Sequence, residues 1–178
     1  RDLHKEYRRQ RSDVYKRQGR HAVEAARAAG HEVVVLSRSS GADVLTGAGL
    51  DERMQGADAV IDVTNTTTLS AAKAVKFFET ATRNLLAAES RAGVTHHVAL
   101  SIVGIDGIDA SYYAGKLAQE RAVAAGSVPF TIARAGQFHE FAGQLLSRMS
   151  GPVAVLPKLL MRPVAAREVG EHLCLLYT

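Results

Sequence analysis

Arg38 stands between Ser37 and Ser39 at the end of a β-branched run, and no acid follows it until Asp43. A guanidinium flanked by hydroxyls suits a phosphate monoester, which it binds through forked, charge-assisted hydrogen bonds. The plain alternative is a solvated arginine at a strand end. A second group of interest lies further on, where Tyr112 and Lys116 form Y-x-x-x-K and Ser101 precedes the tyrosine by 11 residues. At that spacing a phenol and an ammonium share one face of a helix. Spacing alone is poor evidence, because Tyr112 could equally be a half-buried helix aromatic, Tyr113 the functional ring, and Ser101 a residue that merely satisfies a strand end. What strengthens the group is its placement after a strand and a glycine loop.

The elements that must position these residues follow from the apolar pattern. Gly19-Arg20 leads into HAVEAARAA, a helical stripe that stops at Gly30. His31–Leu36 reads as a strand closed by the turn Ser37–Gly41, Ala42–Leu45 as a further short strand, and Gly49–Gln55 as a small helix. Ala57–Val63 predicts the next strand and ends in the polar turn 64–68; a long helix is expected over Ser70–Ala92. Then come a strand over His97–Val103, a glycine-bearing loop over Gly104–Asp109, a helix over Ser111–Ala125, and a strand over Val128–Ala133. Gly136–Ser150 reads as loop and helix, and Val164–Leu173 as the start of one more helix. Alternating strands and helices predict an α/β fold with a parallel sheet covered on both faces. In such sheets ligands sit beyond the carboxyl ends of the strands, so the loops after Leu36, Val63, Ser101 and Ala133 are the places to look.

The 178 residues carry a net charge of +4 with one cysteine, which leaves no disulfide framework and no Cys-rich zinc site. No apolar run approaches the ~20 residues of a membrane span, and no signal peptide is visible. These features predict a soluble, cytoplasmic domain with no membrane partner. The charge is unevenly placed: residues 1–18 hold seven Lys/Arg and three Asp/Glu, so the remaining 160 are neutral, with 15 of each sign. A basic nucleic-acid-binding arm is one reading of that segment, but its wording favours another. Asp13–Gln18, DVYKRQ, back-translates to GATGTGTATAAGAGACAG, which resembles the transposase mosaic end used in preparing sequencing libraries. The reverse complement of the same string, read one base over, encodes the closing Cys174-Leu175-Leu176-Tyr177-Thr178. Residues 1–18 and 174–178 therefore read as translated adapter, to be set aside in fold reasoning, and no nucleic-acid partner is expected.

The wording of the middle segment carries a resemblance. Gly19 before its helix resembles the last glycine of a Rossmann dinucleotide-binding turn, and the Ser…Tyr-x-x-x-Lys arrangement resembles the short-chain dehydrogenase/reductase superfamily. LSRSSGADVLTG, DAVIDVTN, HHVALSIVGID, YYAGKLAQE and PFTIARAGQFHEF together are similar to its atypical, NmrA-like NAD(P)-binding branch. The resemblance covers nearly all of residues 19–173 and implies a Rossmann-like, doubly wound parallel sheet that lacks its first strand and glycine-rich loop.

It also implies roles. Tyr112 would give a proton to a substrate carbonyl. Lys116 would hold the nicotinamide ribose, its charge favouring the phenolate, and Ser101 would polarise the carbonyl oxygen. Gly19, Ser37, Arg38, Ser39, Thr64 and Asn65 would border the cofactor, with Arg38 selecting NADP(H) over NAD(H). Gln137, Phe138 and His139 would wall the substrate pocket, although His139 also reads as a packing or loop residue. His96 and His97 read as a strand entrance, pointing to opposite faces, and no metal site is expected. The parent protein is expected to be an NADPH-dependent reductase of a small carbonyl or quinone-like acceptor. The alternative is a non-catalytic NADP(H)-sensing regulator, since members of this branch are thought to sense redox state, though many of those lack the tyrosine. Without its glycine loop the chain itself should bind cofactor poorly and be inactive.

Overall fold

The computed structural model describes residues 19–139 and 163–177. Residues 19–28 are helical (α1). They are followed by a short helix α2 (Leu50–Arg53), strand β1 (Ala59–Asp62), the long helix α3 (Ala71–Ala92), β2 (His96–Ile102), α4 (Ser111–Ala124), β3 (Phe130–Ala135) and α5 (Ala166–Leu175). The three strands form a parallel sheet in the order β1-β2-β3, with Asp62 level with Ala99 and Ser101 level with Arg134. Every residue of β2 from His97 to Ser101 is buried, as a central parallel strand covered on both faces requires. The α/β class and the parallel sheet thus agree with the sequence reading.

The two faces are covered differently. On one side Val98 and Leu100 pack with Ile61, Val63, Val169 and Leu173, which brings α5 onto the sheet. On the other, Leu50, Met54, Val60, Leu85, Leu86, Ala88 and Val128 make the larger cluster beneath α2 and α3. Helix α3 starts cleanly because the Ser70 hydroxyl accepts from the Lys73 N–H, and it stops at Gly93, whose φ is 75°. Gly115 permits the close approach of α4 to α3: a Cβ there would stand 2.7 Å from the Phe78 ring and 2.8 Å from Ala74.

His31–Leu36 is a correction to the sequence reading. It is not a strand, because no described residue pairs with it; Val34 and Val35 are 52% and 42% exposed. A β-branched run becomes a strand only where a neighbour accepts its ladder hydrogen bonds. Here the Val35 carbonyl is taken instead by the Ser40 hydroxyl at 2.7 Å. Ala42–Leu45 is likewise a turn. The Asp43 carboxylate accepts the Leu45 N–H at 2.8 Å, an Asx-turn that competes with extended pairing. The readings for residues 1–18 and for 140–150 lie outside the described residues. At the other end, α5 continues without a break through Cys174, which is buried, and the Tyr177 ring lies 5.3 Å from that of His31.

Candidate active site

The carboxyl ends of β1 and β2 and the first half of α4 converge on Lys116. Its side chain is 4% exposed and its ammonium donates to the Leu100 carbonyl at 2.9 Å, the Gln119 Oε1 at 2.8 Å and, more weakly, the Thr64 carbonyl at 3.4 Å. It also lies 4.5 Å from the centre of the Phe78 ring, a cation–π contact. Burial pushes the ammonium down to about 8, against the opposing pull of Asp62 and Glu120. Tyr112, one turn earlier, packs edge-on against the same Phe78 ring at 5.6 Å and against Tyr113 at 6.1 Å. Phe78 of α3 is thus a neighbour shared by the tyrosine and the lysine. The helix carrying them begins under strain: Ser111 has φ 52° and Ala110 provides no side-chain cap. A non-glycine residue in that region costs about 1–3 kcal/mol and is found preferentially at functional sites.

Ser101 belongs to a different set of contacts. Its hydroxyl donates to Glu120 Oε1 at 2.5 Å. The same carboxylate takes Arg134 Nε at 3.0 Å and a terminal guanidinium nitrogen at 2.7 Å. Arg134 forks onward to both oxygens of Asp106, in the β2–α4 loop, at 2.7 and 2.9 Å. Burial alone would raise Glu120, but the hydrogen bonds from Arg134 and Ser101 outweigh it and hold the carboxyl below its usual range. The single Ser101 proton is therefore directed at protein.

Of the remaining sequence candidates, Thr64 and Asn65 follow β1 and Gln137, Phe138 and His139 follow β3, whereas Ser37–Ser39 lie in a separate turn. The Thr64 N–H donates to Asp62 Oδ1 at 2.8 Å and the Asn65 Oδ1 accepts from the Thr66 N–H at 2.7 Å. A Cβ on Gly19 would stand 3.6 Å from a Val63 methyl, so the described start of α1 lies beside the carboxyl end of β1. Ser37 caps a 3-10 turn over Arg38–Ser40, and its hydroxyl is 2.9 Å from that of Ser39. Arg38 is exposed, and its guanidinium makes no hydrogen bond or ion pair among the described residues. Gln137 and His139 bracket a backbone bridge to Val164, while Phe138 packs into the apolar cluster under α5. The two histidines do face opposite ways. His96 meets the Thr131 hydroxyl at 2.9 Å, and His97 is buried against Glu89 at 2.9 Å. Burial opposes a charge on His97, but Glu89 and then Asp62 overcome it and raise its pKa. Among the described residues no cluster of His, Cys, Asp or Glu could hold a metal, and no helix is long and apolar enough to cross a membrane.

Several residues of the site were not singled out from sequence. Gln119 and Glu120 lie three and four residues past Lys116, so following the same helix face one turn further finds them. Asp62 announces itself as an acid in an otherwise apolar strand. Arg134 and Phe78 gave no local signal, since their partners are distant in sequence.

A parallel sheet with polar groups gathered at its carboxyl edge is the arrangement in which open α/β domains bind their ligands. The sequence profile of the NAD(P)H-binding family matches residues 41–151, more than half of the chain, and the protein belongs to that family. In three dimensions it is similar to the triphenylmethane reductase of Citrobacter sp. complexed with NADP(H), with a TM-score of 0.61 at 14% identity. The match covers 89% of this chain and 61% of that one, so the chain spans about three fifths of that reductase. No curated protein matches it in sequence.

Proposed function

We propose that the parent protein is an NADPH-dependent reductase that passes hydride to a small carbonyl or quinone-like acceptor, with Tyr112 as proton donor. The observation that carries this reading is the contact that Tyr112 and the buried Lys116 ammonium each make with the Phe78 ring, one helical turn apart. A cation held in a low-dielectric setting favours the phenolate left when Tyr112 gives its proton to the developing alkoxide. The cofactor, when bound, supplies the hydride.

The donors present suit a phosphorylated dinucleotide at both ends. Arg38, with the Ser37 and Ser39 hydroxyls, offers an uncommitted guanidinium for a ribose phosphate, and the Thr64–Asn65 turn and Lys116 lie at the strand ends where the nicotinamide side belongs. The segment before Gly19, where a pyrophosphate cradle belongs, lies outside the described residues. The likeness to a reductase complexed with NADP(H) is in keeping with the same cofactor. For Ser101 to polarise the carbonyl, its proton must turn away from Glu120; Lys116 must likewise release the long Thr64 contact to reach a ribose.

Those inward contacts favour a second reading, a non-catalytic NADP(H)-sensing regulator, because the polar seam is already satisfied by protein. In the parent protein, NADPH oxidation against a panel of quinones and aldehydes separates the two. Catalysis that falls by about 10²–10⁴-fold in Tyr112→Phe supports the reductase. Tight NADPH binding with no acceptor reduced, and no effect of Tyr112→Phe, supports the regulator.

A further inference from the structure

Asp62 is 2% exposed, and among the described residues no basic side chain hydrogen-bonds to it. Its Oδ1 accepts the Thr64 N–H and its Oδ2 accepts the Gln119 Nε2 at 2.8 Å. A carboxylate so buried needs a counter-charge within reach. The His97 imidazole on the neighbouring strand is already hydrogen-bonded to Glu89. That leaves Lys116, whose ammonium donates to the other end of the same carboxamide, Gln119 Oε1, at 2.8 Å.

The amide can stand only one way round. Reversed, it would press its NH₂ against an ammonium and its carbonyl against a carboxylate, so both ends fix the assignment. We propose that Asp62 and Gln119 are positioning residues for Lys116: Asp62 supplies the buried counter-charge, and the Gln119 carboxamide transmits it across two hydrogen bonds and fixes where the ammonium stands. The charged and titratable groups around Lys116 are Asp62 from β1, Glu120 from α4 and, one turn earlier on α4 and against the same Phe78 ring, the Tyr112 phenol. Asp62 in turn borders the His97–Glu89 pair, and Glu120 is tied to Arg134 and Asp106. From α3 Lys116 meets the uncharged face of Phe78. Glu120 is itself satisfied by Ser101 and Arg134, which leaves Asp62 as the anion whose hydrogen bonds lead to the lysine.

The inference rests on Lys116 being the partner of Tyr112, yet it can be tested without turnover. In the cofactor-free full chain, the Lys116 ammonium is titrated by ¹³Cε NMR, its signal assigned by its loss in Lys116→Arg. Asp62→Asn should lower the Lys116 midpoint by on the order of one pH unit. Gln119→Met, which keeps the side-chain volume and loses both hydrogen bonds, should lower it by less. The double variant should fall no further than Asp62→Asn, the mark of two residues acting as one unit. In the reductase assay the alkaline limb of the kcat profile should move down by the same interval, which a merely structural lesion would not do. A Lys116 midpoint unmoved in Asp62→Asn, or in Gln119→Met should Asp62→Asn fail to fold, overturns the proposal. A shifted midpoint with no reductase activity leaves it standing and removes the reductase reading instead.

Discussion

On one face of β2, His97 meets Glu89 of α3 and Ser101 meets Glu120 of α4; on the other, Val98 and Leu100 lie against Leu173 of α5. Both faces of β2 are fully buried, but the first adds the His97–Glu89 pair and the Ser101–Glu120 hydrogen bond to its apolar contacts, whereas the second is held by apolar contact alone. Removing one partner of a buried pair strands the other without solvent, whereas removing an apolar side chain leaves a cavity. The two faces should therefore fail in different ways, and only the polar one should do so with a dependence on pH.

Glu89→Ala should have the largest effect, about 3–5 kcal/mol lost in chemical denaturation, because it leaves the His97 ring buried alone. The sign of its pH dependence follows from the raised pKa of His97. Stability from that group is fully present below the unfolded histidine value and is lost as pH rises through the folded value. The gap between wild type and Glu89→Ala should thus be wider at about pH 6 than at about pH 9. Leu173→Ala on the apolar face should cost about 2–5 kcal/mol by cavity formation, and its denaturation midpoint should be displaced equally at both pH values. If the Leu173→Ala gap varied with pH as the Glu89→Ala gap does, the contrast between the faces would collapse.

Gly115→Ala should cost about 1–3 kcal/mol by overpacking against Ala74 and Phe78. It should also displace the Lys116 resonance, since the ammonium rides on the same contact. Arg38→Ala, exposed and outside both faces, should change stability by no more than about 0.5 kcal/mol. Its effect should appear in calorimetric titration, as a loss of at least about tenfold for NADPH with little change for NADH. Equal losses for the two cofactors would remove the phosphate role.

Sequence pattern served best where the determinants are local. The strand at Ala59–Asp62, the long helix ending at Gly93 and the helix starting at Ser111 all lie within a residue or two of their expected limits, because periodicity and caps are properties of a short window. His31–Leu36 misled because a strand is a property of a pair, and its composition says nothing of whether a neighbour is there. The site shows the same division. The Tyr112–Lys116 spacing on one helix face was readable, whereas the turning of Ser101 toward Glu120 depends on Arg134, which lies beyond another helix in sequence. Asp62 was visible as an oddity in an apolar run, but its use became plain only once Gln119 stood between it and Lys116.

The tight seam at Gly115 bears on which parts of this domain can change. From Ala114 to Glu120 every residue of α4 is buried, so that stretch has little room for trial and error, and each change there would be felt by the lysine. The β2–α4 loop, by contrast, exposes Val103 and Ile108 and is tied down through Asp106. Sequence change, whether by natural drift or by directed evolution, should accumulate in that loop while the helix behind it stays fixed.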